Sequence, residues 1–201
     1  MNKIGIVGCG FSAAVLNTAL NFEDIVIFDK SRGPGGRSSS RRVENVGVFD
    51  HGLQFVSPKE EKFMLFLNNY LKPFIKEWNG YFINFEENKK IQNKKYIGKT
   101  GNNDFVKNLI NAKVHHQKEL IGIKKTKQVW ILDFKDGTKN ECEKLALTMP
   151  HEQCGKITQT AELDIKFKGG MEPNLTTMVA FDKNLEILGN AFRFKKNSIL
   201  G

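Results

Sequence analysis

At 201 residues with 40% hydrophobic side chains, the chain can hold one sizeable core or two small domains. A mean hydropathy of −0.39 and the lack of an apolar run near twenty residues argue against a membrane span, and the first apolar run is too brief for a secretion signal. The net charge of +9 comes from lysines scattered among Asn, Ile and Phe, a pattern expected of A/T-rich coding, and no aromatic-interleaved basic stripe marks a nucleic-acid surface.

In chain order, "KIGIVGCG" predicts a strand over Lys3–Val7 that runs into Gly8 and Gly10. "FSAAVLNTALNF" follows as a short helix, with apolar residues at Phe11, Ala14, Val15 and Leu20. "IVIF", residues 25–28, is apolar and β-branched throughout, as a strand buried on both faces requires, and Asp29 ends it. Inside this βαβ unit, Gly8-Cys9-Gly10-Phe11-Ser12-Ala13 reads GxGxxA. The first glycine makes a tight turn, the second admits a pyrophosphate to the backbone, and the helix N-terminus offers N–H groups to its charge. Asp29 lies twenty-one residues after Gly8, where an acid can accept hydrogen bonds from a ribose. A plain βαβ unit with a glycine turn is the simpler alternative. Strand, glycines, helix, strand and acid in that order instead point to a dinucleotide.

"FDKSRGPGGRSSSRR", residues 28–42, carries Arg32, Arg37, Arg41 and Arg42, four of the five arginines among 31 basic residues. Glycines permit close backbone approach to a ligand, and a guanidinium presents a planar fork of donors to phosphate that lysine cannot match. A solvated loop would be served equally well by lysine, so Arg37 is read as a phosphate contact. Arg41 and Arg42 are either surface charges or ligands for a second anion.

Residues 60–71 read as an amphipathic helix, and "FIKEWNGYFINF" as two strands hinged at Asn79-Gly80, a good hairpin signal. "NNDFVKNLINA" reads as a cap followed by a helix over 104–111. After it come "ELIGIKK", "QVWILDF", a turn at Asp136-Gly137, "EKLALTM", and a last strand in "NAFRFKKNSILG". Cys9, Cys142 and Cys154 form no CxxC pair, so reduced thiols are expected. His115 and His116 are adjacent and point to opposite faces of a strand, and no metal site is predicted. A cytoplasmic location is the default.

"IGIVGCGFSAAVL", "FDKSRGPGGRSSSRR" and "FDHGLQFVS", in that order, resemble the renalase-like flavoproteins within the amine-oxidase-type FAD oxidoreductases. "YIGKTGNNDFVKNL" and "CEKLALTMPHEQ" match more loosely, with Thr100 and Asn102 where the family tends to show proline and methionine. The resemblance implies an α/β fold. In it, a Rossmann-like FAD-binding domain (residues 1–56 and 100–158) carries an inserted, mainly antiparallel substrate domain (57–99 and 159–201) that is incomplete at the C-terminus. Carried over by position, Gly8, Gly10, Phe11, Ser12, Gly36 and Arg37 meet the FAD diphosphate and ribityl region. Asp29 and Lys30 meet the adenosine ribose, and Gln54 and Phe55 the flavin end, with Gly52 permitting close approach. Gln54 could equally be an exposed turn residue and Phe55 a core aromatic. Val114 resembles a valine whose backbone contacts adenine but is more often core, and His51 is not assigned a catalytic role.

The resemblance implies hydride transfer from a reduced nicotinamide-type substrate to flavin with oxygen as acceptor, amine oxidation being the sibling activity. The expected partners are a small-molecule substrate, either a reduced nicotinamide nucleotide or an amine, and molecular oxygen. No nucleic acid or membrane is expected. The rival readings are a truncated, non-catalytic nucleotide-binding fragment and a plain NAD dehydrogenase, which would have no use for Gly35-Gly36-Arg37 or "GLQF".

Overall fold

The computed structural model describes residues 2–20, 24–84, 89–91, 94–166, 168–183, 186 and 191–193. The first unit is β1 (Asn2–Val7), α1 (Phe11–Leu20) and β2 (Ile25–Phe28). A hairpin of β3 (Arg41–Val43) and β4 (Gly47–Phe49) follows, then α2 (Glu61–Phe66), which continues as a π-helical turn over Leu67–Leu71. Next come β5 (Ile75–Glu77), β6 (Phe82–Asn84), β7 (Lys89–Ile91), β8 (Tyr96–Gly98) and α3 (Asp104–Lys107). The last group is β9 (Lys113–His115), β10 (Leu120–Lys125), β11 (Trp130–Phe134), β12 (Lys139–Leu147), α4 (His151–Gln159) and β13 (Ala191–Arg193).

The main sheet has the order β10-β11-β12-β1-β2-β9. β1 lies parallel between β2 and β12, so Ile6 faces Ile27 on one side and Ala146 on the other. β9 adds in parallel to β2, while β10, β11 and β12 form an antiparallel meander whose last strand re-enters beside β1. Side chains alternate along a strand, so a central strand covered on both faces must be apolar at every position. Ile4, Ile6, Ile25 and Ile27 pack with Cys9 and Ala13 under α1. Val7, Val26 and Phe28 turn the other way, onto Leu132, Phe134 and Ile157 of α4. A third cluster joins Ala14 to Leu67, Leu71, Phe105 and Val106, and Phe11 meets Phe63 and Phe66 edge-on at 6.2 and 6.3 Å. The molecule is a mixed α/β structure with a parallel, Rossmann-like core and additional antiparallel sheets, as the sequence predicts.

Two local readings need correction. Asn79-Gly80 does not close a hairpin: β5 pairs with β8, whereas β6 pairs with β7 and β13. Trp78 is drawn away from such a turn by its N–H to Lys95 O (2.8 Å) and by stacking on Phe55 at 5.8 Å, and its indole crowds Gly80. The helix predicted over 104–111 is α-helical only to Lys107, and Asn103 makes no side-chain cap. The chain beyond Arg193 lies outside the described residues. Among the described residues, no helix is long and apolar enough to cross a membrane.

All three thiols are buried and free. Burial, reinforced by the carboxylate of Asp29, pushes Cys9 up to about 12, and burial raises Cys142 and Cys154 as well. A thiol-specific reagent at pH 8 is therefore expected to label none of them in the folded protein and all three after unfolding in urea. Labelling of the native protein at the rate of a free thiol would show this packing to be wrong.

Candidate dinucleotide site

β1 ends at Val7, and the Gly8 N–H donates to Phe28 O (2.8 Å), locking the turn to the end of β2. Gly8 has φ +103°, where a side chain is strained, and a Cβ there would sit 2.7 Å from Thr148 Oγ1. Thr148 holds the turn from β12: its N–H donates to Val7 O (2.9 Å), and its hydroxyl lies 3.0 Å from Val7 O and 3.3 Å from Gly8 O. Around Gly10 the space is open, with nothing within 4 Å of a Cβ position. The first helical bond of α1 runs from Ala14 N–H to Gly10 O (3.1 Å), so the N–H groups of Phe11, Ser12 and Ala13 have no acceptor within the helix. They offer a positive terminus to an anion.

Asp29 is buried, and one carboxylate oxygen accepts from Cys9 N–H (2.6 Å), the other from Ser31 N–H (2.6 Å). A carboxylate has about four acceptor positions, so capacity remains for a ribose hydroxyl. The glycine-arginine loop packs directly on this turn. Gly35 N–H donates to Cys9 O (2.9 Å), and a Cβ at Gly36 would lie 3.3 Å from Gly10 Cα. A short 3-10 turn, Gly36–Ser38, then presents the exposed Arg37.

The "DHGLQF" loop lies against the back of Arg37. Leu53 N–H donates to Arg37 O (2.9 Å), and a Cβ at residue 52 would be driven into that same carbonyl oxygen. The close approach that Gly52 permits is thus between two loops of the protein. Behind them sits Asn102, fully buried, which the sequence marks only as part of a cap and as a departure from the family pattern. Its amide nitrogen donates to Leu53 O (2.6 Å) and Gln54 O (3.0 Å), and its oxygen accepts from Gly98 N–H (2.9 Å). Its own N–H donates to Asp50 (2.7 Å), which also accepts from the Ser40 hydroxyl (2.5 Å). Asp104 secures the same segment through the N–H and hydroxyl of Thr100 (2.8 and 2.9 Å) and the ammonium of Lys107 (2.6 Å). The cluster of short polar side chains in "TGNND" was the available signal.

A cleft of about 500 Å³ opens where these pieces converge, with Ser12 and Arg37 on one side and Thr148, Pro150 and His151 on the other. Lys168 and Met171 also line it. Ser12 and Arg37 thus face a single space at the carboxyl ends of β1 and β12, where open α/β sheets take ligands. Lys30 lies elsewhere, its ammonium 3.5 Å from Gln153, and lines a smaller cavity of about 310 Å³. Gln54 is exposed and Phe55 is stacked on Trp78; neither lines the cleft. Val114 packs against the cluster under α1. Burial and the charge of Asp29 raise the Cys9 thiol, which disfavours the thiolate that a nucleophile needs. Among the described residues no group of three or more His, Cys, Asp or Glu could hold a metal ion.

Residues 6–70 match the family described as an NAD(P)-binding Rossmann-like domain. Solved structures share the fold. One is a provisionally assigned protoporphyrinogen oxidase from Exiguobacterium sp. 255-15, with a TM-score of 0.59 and 10% identity over 78% of this chain and 61% of that one. A fatty acid isomerase from P. acnes that produces CLA gives 0.58 and 10% identity, over 81% of this chain and 62% of that one. A putrescine oxidase redesigned in its cofactor binding gives 0.58 and 11%, over 77% and 59%. The chain therefore spans about three-fifths of the length of these structures, and at such identities the likeness is one of fold.

Gly52→Ala is expected to destabilise the protein by about 1–3 kcal/mol, because the backbone of Arg37 must move, and to weaken nucleotide binding with it. Urea unfolding and a dinucleotide titration measure both; an unperturbed variant would dissociate the two loops. Burial pushes the Asp104 carboxyl up, but the ammonium of Lys107 and the donors of Thr100 outweigh it and hold the group below its ordinary value. A depressed carboxyl stabilises the fold above its unfolded value and loses that contribution as pH falls through the folded one. Asp104→Asn should therefore cost about 1–2 kcal/mol near neutrality, with the gap to wild type closing on acidification below about pH 4. Denaturant unfolding across that range checks it, and a gap that does not change with pH would refute the assignment.

Proposed function

We propose that the chain is the nucleotide-binding part of an FAD-dependent oxidoreductase of the renalase-like type. The reading is carried by one observation: Ser12 at the start of α1 and Arg37 on the glycine loop share a cleft at the carboxyl ends of the central strands. The open space beside Gly10 and the N–H groups of Phe11, Ser12 and Ala13, which have no acceptor within the helix, fit a diphosphate. Arg37 binds it through paired donors, and Asp29 accepts a hydroxyl of the adenosine ribose. Gly8, Gly10 and Gly36 keep the backbone close enough for these contacts, and Phe11 anchors the turn to α2. Gln54 and Phe55 belong to the flavin end in this reading, and Lys30 to the ribose end. Residues 1–56 and 100–158 make up the nucleotide domain, with 57–99 and 159–201 part of a substrate domain.

Flavin held by Ser12, Arg37 and Asp29 would supply the redox chemistry, the oxidation of a dihydronicotinamide-type substrate with oxygen as the acceptor. The protein binds, orients and shields, and no side chain is assigned to proton transfer. Oxidation of an amine is the second reading, favoured by the shared fold with putrescine oxidase.

The test is to purify the chain, add FAD, remove the excess and release any chromophore by denaturation. A yellow protein carrying near-stoichiometric FAD is expected, and a colourless one that takes up none would overturn the reading. Arg37→Lys should weaken FAD about tenfold, or about 1.4 kcal/mol, because an ammonium replaces the fork of a guanidinium. Equal affinity in a fluorescence titration would remove Arg37 from the diphosphate site.

A further inference from the structure

Two-electron reduction of oxygen, the acceptor in the proposed function, gives hydrogen peroxide, which oxidises protein sulfur as thiolate or as thioether. The three thiols of the chain are buried, and burial disfavours the thiolate that would react. A thioether needs no deprotonation, so the methionines are the sulfur left open to attack. Of the five in the sequence, Met149 and Met171 both line the cleft that Ser12 and Arg37 share.

The two reach the cleft from different segments. Met149 directly follows Thr148, whose N–H and hydroxyl hold the glycine turn, and the Cys154 thiol donates to its carbonyl (3.3 Å). The Met149 side chain is half-buried against the cluster of Val7, Phe28 and Ile157. Met171 follows Gly169-Gly170 and is 38% exposed. Met178, which does not line the cleft, is 37% exposed and so provides a matched thioether elsewhere. Arg37 and Lys168 line the cleft without any carboxylate, and among the described residues neither cation forms an ion pair. A thioether sulfur is a weak acceptor and leaves such donors to a ligand. A sulfoxide is polar, and its oxygen accepts hydrogen bonds.

We propose that Met149 and Met171 form a peroxide-modification site that closes the cleft to its dinucleotide. Hydrogen peroxide transfers one oxygen atom to the thioether sulfur. The O–O bond breaks, an S=O bond forms and water leaves, so that sulfur loses two electrons and peroxide gains them. The new oxygen competes with phosphate for Arg37 and Lys168. At Met149 it also brings a polar group into apolar packing beside the glycine turn. Met171, the more exposed of the two, reacts first. The proposal rests on this cleft binding the dinucleotide, but not on which substrate the flavin oxidises.

The test treats the chain with added hydrogen peroxide, maps methionine oxidation by peptide mass spectrometry, and titrates FAD before and after. Each protein is compared with itself. Oxidation is expected at Met171 before Met149, and the affinity for FAD should fall at least about tenfold. Met178→Leu should lose as much as the wild type. In the double variant Met149→Leu, Met171→Leu the affinity should change by less than about twofold on treatment, since leucine keeps the volume without the sulfur. Methionine sulfoxide reductase with dithiothreitol should restore the wild type. Three results would overturn the proposal and leave the cofactor reading standing: neither cleft methionine oxidised, unchanged affinity once both are oxidised, or an equal loss in the double variant. An untreated chain that takes up no FAD would overturn both.

Discussion

The carboxylate of Asp29 grips the glycine turn through the N–H of Cys9, and the rest of the site depends on that contact. A charge-assisted hydrogen bond in a buried setting is strong and short, and it joins the ends of two neighbouring parallel strands. It fixes the peptide between the two glycines, so that the Cys9 carbonyl faces outward to receive Gly35. The arginine loop is therefore built on the turn. The same charge adds to burial in disfavouring the Cys9 thiolate, and the observed part of this position is its backbone, which joins Asp29 to Gly35.

From there the order of support runs outward. The Arg37 carbonyl receives Leu53, the loop around Leu53 is held by Asn102, and Asn102 is held in turn by Asp50 and Gly98. Three segments far apart in the chain are thus stacked behind one exposed guanidinium. Such a polar network rigidifies its surroundings only when its members are satisfied, and both the oxygen and the amide nitrogen of Asn102 are engaged. The site is closely hydrogen-bonded at the back and open at the front, where the Arg37 side chain is exposed.

What the sequence made legible was local. The βαβ unit could be read because its determinants fall within thirty residues: glycines at a fixed offset, alternate packing that demands an unbroken apolar strand, and an acid at the strand end. The arginines stood out against a background of lysine. Asn102 was missed because an asparagine ahead of a helix has a local explanation as a cap, whereas its real partners lie 48 and 49 residues away. The hairpin at Asn79-Gly80 failed for a related reason. Its turn chemistry was sound, but pairing with Tyr96–Gly98 and the stacking of Trp78 on Phe55 outweighed a two-residue preference. Gly52 was recognised as a close-approach residue, although which surface approaches could come only from the fold.

The meander that delivers β12 to the flank of β1 has a consequence for how the molecule is made. β1 is complete within the first seven residues, but its partner on that side begins at Lys139. At about 5–20 residues per second, a ribosome leaves that edge of the nascent strand without its mate for several seconds to half a minute. For most of that interval both outer sides of the β1–β2 pair lack partners, since β2 also waits for β9, and such bare strand edges invite association. Closure of the sheet is a late, long-range event that must wait for nearly three-quarters of the chain. The glycine turn sits on that seam, since Thr148 directly follows the arriving strand. The nucleotide cradle is thus finished only when synthesis of the core is finished, which makes it a register of completed folding as well as a place to bind.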